Sequence, residues 1–216
     1  MIGKARRVIR HTAASCAALV LLAGCGGNAG EAKTLDAQQN RATLPDAKVA
    51  PGWKVTIDPV AYPLGKAKEF GVARCYEGPE ECSKVQFVGV SGLHDHNKPT
   101  VDFTLLTYPD SAAAQSAYEP VWKAWSSRIP EARALNLGEI GDQNDAVSGL
   151  SASLEKGSQG LISQVRVESV IMLTTGRAGS GIEMQNTLKK FVTVFAERAE
   201  QALQGKTPSF TLDDVA

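Results

Sequence analysis

Thr100-Val101-Asp102-Phe103-Thr104-Leu105-Leu106-Thr107-Tyr108-Pro109-Asp110 is where the chain changes from a period of two to a helical period, and the fold class follows from that change. Val101, Phe103, Leu105 and Thr107 share one face of a strand over Thr100 to Tyr108. Pro109-Asp110 ends it, and the Asp110 carboxylate is placed to cap the amides of Ala112 or Ala113. Beyond the cap, Ala114, Tyr118, Val121, Trp122, Trp125 and Ile129 recur at helical spacing as one broad apolar stripe. Pro120 interrupts it. Without an N–H, and with its ring against the carbonyl of Ser116, it predicts a kink or a second helix starting there.

Upstream, Lys84 to Ser91 sets Val85, Phe87 and Gly89 on one face and Val88 and Val90 on the other, which predicts an interior strand. The polar Gly92 to Pro99 reads as a long loop joining it to Thr100–Tyr108 in an antiparallel hairpin. Trp53, Val55 and Ile57 alternate with Lys54, Thr56 and Asp58, a half-buried strand that Pro59 and Pro63 should end. Downstream, Leu135/Leu137, Val147 to Leu154, Leu161 to Val167 and Val170 to Thr175 read as strands. Gln164, Arg166 and Glu168 alternate with Val165 and Val167, so one face of this part of the sheet is expected to meet water. Glu168-Ser169 is read as a tight turn, with one long strand as the alternative. Gly176 to Gly181 is loop, and a last helix follows from about Ile182 to Leu203. Its core stripe is Met184, Leu188, Phe191, Val192, Phe195, Ala199 and Leu203, with Lys189, Lys190, Glu197, Arg198 and Glu200 off it and Gly205 placed to stop it. The order β, β-β, α, several β, α predicts an α+β fold: an antiparallel sheet packed against two main helices.

The start of the chain sets its address. Lys4, Arg6, Arg7 and Arg10 precede an apolar run, Ala13 to Leu22, too short to span a bilayer and laid out as a secretory signal. Arg6-Arg7 raises twin-arginine export, although the flanking residues favour the general secretory route. The run closes on Leu22-Ala23-Gly24-Cys25, and here the chain resembles the bacterial lipoprotein family. The resemblance implies diacylglycerol on the Cys25 thiol and cleavage before that residue. Expected organisation is therefore a signal over 1–24, a flexible tether over 25–50, one globular domain over 51–206 and a tail over 207–216. As a random coil the tether would reach about 25–30 Å. Removing the signal leaves 19 Lys+Arg against 23 Asp+Glu, a net charge of −4. An acidic chain is poorly matched to nucleic acid or to anionic headgroups. The expected partners are the membrane, through the lipid on the extracytoplasmic face, and an unknown small molecule or envelope protein; no nucleic acid is expected.

Of the four cysteines, Cys16 leaves with the signal and Cys25 is the lipidation site. Cys75 and Cys82 remain, in Cys-Tyr-Glu-Gly-Pro-Glu-Glu-Cys, and in an oxidising compartment they are read as a disulfide closed over Gly78-Pro79, two free thiols being the alternative. His94-Asp95-His96 puts two imidazoles on one side of an extended segment, but a zinc or copper site needs at least one more ligand. It is read as a polar loop tip, and no metal or other cofactor is assigned. Gly176-Arg177-Ala178-Gly179-Ser180-Gly181 before a helix offers amides to an anion yet matches no phosphate-binding motif, so it is read as a flexible loop. Ser153-Leu154-Glu155-Lys156 spells Ser-x-x-Lys without its companion motifs, and Gly89-Val90-Ser91-Gly92-Leu93 misses Gly-x-Ser-x-Gly by one residue. Tyr118, Trp122 and Trp125 read as core, a ligand groove being the alternative, and Trp122 and Trp125, three residues apart, are not expected to share one environment. No residue is assigned as catalytic.

Tyr108-Pro109-Asp110-Ser111-Ala112 and Ile162 to Thr175 with the helix after it resemble actinobacterial exported domains, among them stand-alone lipoproteins and the extracellular sensor domain of mycobacterial serine/threonine kinases. That resemblance implies a sheet-and-helix domain whose cleft binds ligands rather than catalysing. The expected function is a lipid-anchored binding or sensing protein without catalytic activity. The alternative is an envelope enzyme, hydrolytic or metal-dependent, whose site is assembled from residues far apart in sequence. A transporter's substrate-binding subunit is disfavoured, because the chain is short for two lobes about a hinge.

Overall fold

The computed structural model describes residues 34–70, 84–94, 99–151, 157–180 and 182–215. These all fall in one unit spanning residues 32–216. Cys16, Cys25, Cys75, Cys82, Asp95, His96, Ser153 and Lys156 lie outside the described residues. In chain order the elements are α1 (Ala37–Thr43), β1 (Lys54–Pro63), α2 (Leu64–Glu69), β2 (Phe87–His94), β3 (Thr100–Thr107), α3 (Ser111–Ser126), β4 (Arg133–Ala134), β5 (Gln143–Leu150), β6 (Gln159–Val167), β7 (Val170–Ala178), α4 (Gln185–Leu203) and a 3-10 turn at Leu212–Asp214.

The α+β expectation is met: among the described residues seven strands form one sheet in the order β1-β2-β3-β7-β6-β5-β4, every pair antiparallel. The interior position expected for the second strand and its hairpin with the third are both found, with Val90 opposite Thr104. Side chains alternate across the sheet. Val101, Phe103 and Leu105 meet Leu188, Phe191 and Phe195 of α4 on one face, and Leu106, Ile171 and Leu173 meet Ala114, Ala117 and Tyr118 of α3 on the other. Phe103 stands edge-on between Phe191 and Phe195, at 5.4 and 5.5 Å between ring centroids. Each fully buried phenyl ring contributes about 1.5–3 kcal/mol relative to exposure. The helix ends are set locally. Ala113 N–H donates to Asp110 Oδ1 at 2.7 Å, and Gly205, at φ 77°, closes α4 while Lys206 N–H reaches back to Gln201 O.

Several expectations are corrected. Pro120 starts no second helix; it lies inside α3. Strand β1 is not ended by Pro59 but runs to Pro63, because it is an edge strand whose outer N–H groups need no partner. Register shifts on either side of Ile57 break its alternation, which leaves Val55 and Ile57 exposed rather than half-buried. Strand β2 extends to His94, taking in part of the expected loop, and β5 starts at Gln143, four residues before Val147. The water-facing side expected at β6 does not exist, because α3 lies on it: Gln164 is 0% exposed and Arg166 is buried. Glu168, at φ 46°, makes the turn that returns the chain into β7.

The described part of the expected tether is folded. Asp36 and Gln39 form a reciprocal capping box at the start of α1, and Leu35, Leu44, Val49 and Ala50 are buried. Asn40 donates to Leu35 O and Asp36 O and accepts from Thr107 Oγ1, which pins α1 to the end of β3. Arg198, expected on the solvent side of the last helix, is 7% exposed and donates to the carbonyls of Ala42, Thr43 and Phe210. The expected tail is also tied down, through Leu212 N–H to Val49 O.

Candidate functional site

Helix α3 does not cover its face of the sheet evenly, and a groove lies where the cover is missing. Its path is set by polar contacts to β6. Arg166 Nη1 donates to Ser111 Oγ and Asp142 Oδ2, Gln164 Nε2 donates to Tyr118 O at 2.7 Å, and Tyr118 OH returns a hydrogen bond to Gln164 O. Burial first, and the Asp145 carboxylate second, push the Tyr118 phenol far above its ordinary range, so the hydroxyl stays protonated and donates. The helix thus tracks β6, and its C-terminal end brings Trp125, Arg128 and Ile129 over Gly160 and Ile162. Gly149 and Gly160 permit the approach: a Cβ on Gly149 would stand 2.3 Å from Pro130 O, and one on Gly160 would stand 3.0 Å from Ile129 Cδ1.

Between that helix end and the edge strand β1 the described residues leave the middle of the sheet open. The cavity has a volume of about 530 Å³, inside the range of roughly 300–1,000 Å³ common to small-molecule sites. Its floor is Val88, Val90, Leu106 and Ile162 with Thr104 and Thr175 between them; Trp125 forms one wall and Ile57, 42% exposed, the opposite rim. At one end Arg177 Nη2 meets Asp102 Oδ2 at 3.0 Å, with the Arg177 side chain 62% exposed. Near the other wall the Arg128 guanidinium lies 4.3 Å from the centroid of the Trp125 ring. Ser91 also borders the space, but alternation along β2 sends its side chain toward α4. The described lining contains hydroxyls, one ion-paired carboxylate and two guanidinium groups. It contains no histidine, lysine or cysteine to activate a hydroxyl.

A second cavity, about 610 Å³, opens at the β4–β5 end and is lined largely by exposed polar side chains such as Glu131, Arg133, Gln159 and Glu183. It is the larger of the two but the worse site, since polar and charged side chains outnumber the apolar ones in its lining.

The residues singled out by sequence distribute unevenly. His94 ends β2 half-buried, with Nδ1 3.4 Å from Thr100 Oγ1, and no group of three His, Cys, Asp or Glu among the described residues is arranged to hold a metal ion. The expected glycine loop is corrected: Gly176, Arg177 and Ala178 belong to β7, Gly176 lies tight under Met184, and Arg177 serves the groove. Gly89 to Leu93 lies inside β2, in no turn that would expose a nucleophile. Tyr118 is core, while Trp125 packs at the edge of that core and lines the groove; Trp122 does not line it. Ile57, Asp102, Thr104, Arg128 and Thr175 were not foreseen as site residues. A signal existed in Asp102 and Thr104, polar residues on the side of β3 that faces the helix layer, where an evenly covered sheet would carry apolar ones. No described helix is long and apolar enough to cross a membrane.

No protein family and no curated protein matches this chain. Among solved structures it is similar to the crystal structure of the extracellular domain of PknH from Mycobacterium tuberculosis, at 10% identity and a TM-score of 0.49, over 74% of this chain and 95% of that one.

Proposed function

We propose that this domain is a non-catalytic binding module, displayed on the outer face of the cell membrane by lipid on Cys25, that holds a small ligand in the groove between β1 and the end of α3. The observation that carries this reading is the groove itself: an apolar floor with charge only at its rim, and a described lining whose one carboxylate, Asp102, is engaged by Arg177. Such a site grips and orients a ligand, and the one carboxylate on its described lining that could accept a proton is held in an ion pair with Arg177. Native mass spectrometry of the protein purified from its own host should show a bound small molecule. Thr104→Trp, at a half-exposed floor position, should fill the groove and abolish that mass while the domain keeps its fold by circular dichroism. An unchanged bound mass in that variant would place the ligand elsewhere, and turnover of the ligand by the parent protein would make it an enzyme.

Two further assignments accompany this one. Replacing Cys25 with Ala should abolish incorporation of labelled fatty acid. Cys75 and Cys82 should resist thiol labelling until reduced, as one disulfide.

A further inference from the structure

We infer that the groove takes a single-chain fatty-acid carboxylate, its alkyl chain along Val88, Val90, Leu106 and Ile162 and its head at Arg177. The inference rests on the groove being the binding site and adds the chemistry of what it binds. Three observations point to this class. The floor, on β2, β3, β7 and β6, carries the branched aliphatic side chains Val88, Val90, Leu106 and Ile162 with only the hydroxyls of Thr104 and Thr175 between them and is closed by Trp125, a surface for a flexible apolar body. Ile57 at the rim is 42% exposed, an apolar side chain that an alkyl chain would cover. The charges on the described lining are Arg128, Arg177 and Asp102, a net positive rim in a chain whose part after the signal nets −4.

Arg177 is the better placed of the two guanidinium groups to receive the head. Arg128 is spread over Trp125. Arg177 engages Asp102 through one nitrogen and is otherwise largely solvent-exposed, so an incoming carboxylate can meet the planar donor fork without first breaking a buried pair. Asp102 opposes an anion there. It holds Arg177 in place and weakens the attraction, so the chain has to supply most of the affinity.

The test uses fluorescence of Trp125 together with calorimetry, with octanoate, decanoate and dodecanoate as probes and 1-decanol, decyl phosphate and decyltrimethylammonium as controls. Affinity should rise about two- to fourfold per methylene, the upper value corresponding to full burial of each CH₂. Decanoate should bind about tenfold more tightly than decanol, as expected of one charge-assisted pair. Asp102→Asn should tighten decanoate several-fold, and Arg177→Gln should bring decanoate and decanol together. Thr104→Trp should remove binding of every probe. Equal binding of decanoate and decyltrimethylammonium, or an Arg177→Gln variant that keeps the preference for decanoate, would overturn the anionic head and leave the groove standing. Tighter binding of decyl phosphate than of decanoate would overturn the carboxylate. Absence of binding by any alkyl probe, while the host-derived mass still disappears in Thr104→Trp, would overturn the inference alone; its persistence there would remove the groove reading with it.

Discussion

Arg198→Met tests whether the segment before β1 is held by one buried cation. Arg198 donates through Nε to Thr43 O at 3.1 Å, through Nη1 to Phe210 O at 3.1 Å and through Nη2 to Ala42 O. Two of these acceptors are last-turn carbonyls of α1, which have no partner within the helix. Methionine keeps the length and apolar stem but has no donor. Leaving a buried acceptor unpaired costs about 1–3 kcal/mol. Against that, the variant no longer buries a guanidinium, a burial that lowers the Arg198 pKa without discharging the group. Taking the lower value for each of the three carbonyls and allowing for that relief, the expected loss is about 2–3 kcal/mol. For a domain of this size that is a fall in Tm of roughly 4–12 °C. The loss should be local first, because seven residues make no independent helix. Hydrogen exchange read by mass spectrometry should therefore accelerate over Ala37–Thr43 before it does in β7. Arg198→Lys, with one point charge in place of a fork, should fall between parent and Met variant. A Met variant with parental Tm and parental exchange over α1 would refute the reasoning.

Other perturbations test the rest of the framework. Gly149→Ala should cost about 1–3 kcal/mol in urea unfolding, because the new methyl meets the Pro130 backbone carbonyl rather than a movable side chain; a parental midpoint would deny the close approach. Tyr118→Phe should cost about 1 kcal/mol through the lost bond to Gln164 O, with no pH dependence between 5 and 9 because the phenol stays protonated there; a cost that varied over that range would count against it. The Glu200 carboxyl is raised above its ordinary range by burial first and then by Glu197, Asp142 and Glu168. A raised acid favours the folded state below its unfolded pKa and loses that contribution as pH rises through the folded value. Glu200→Gln should accordingly raise Tm at pH 7, and the gain should vanish as pH falls below the usual glutamate range; a gain that persisted in acid would reverse the assignment.

Much of the fold was legible because its signals are local. The switch from period two to a helical period at Pro109-Asp110, the Asp110 cap, the α4 stripe and the glycine after it each depend on residues within one or two turns, so each survives unaltered into the structure. Helix α1 instead reads as tether: its one local signal is the Asp36-Gln39 capping box, and seven residues are too few to show a period. What tertiary structure decided is where polar residues go. Gln164, Arg166 and Arg198 read as solvent-facing from their neighbours in sequence. Their partners, Tyr118, Ser111 and Thr43, stand 46, 55 and 155 residues away, and only a folded chain can bring such groups together to offset their desolvation. The groove has the same origin. Ile57, Asp102, Trp125 and Arg177 share no motif, and they line one cavity because α3 tracks β6 and leaves the middle of the sheet uncovered. Sequence by itself determined the central strands and the two main helices with their apolar stripes; the path of one helix across the sheet, fixed by long-range polar contacts, decided which polar residues were buried and where a site opened.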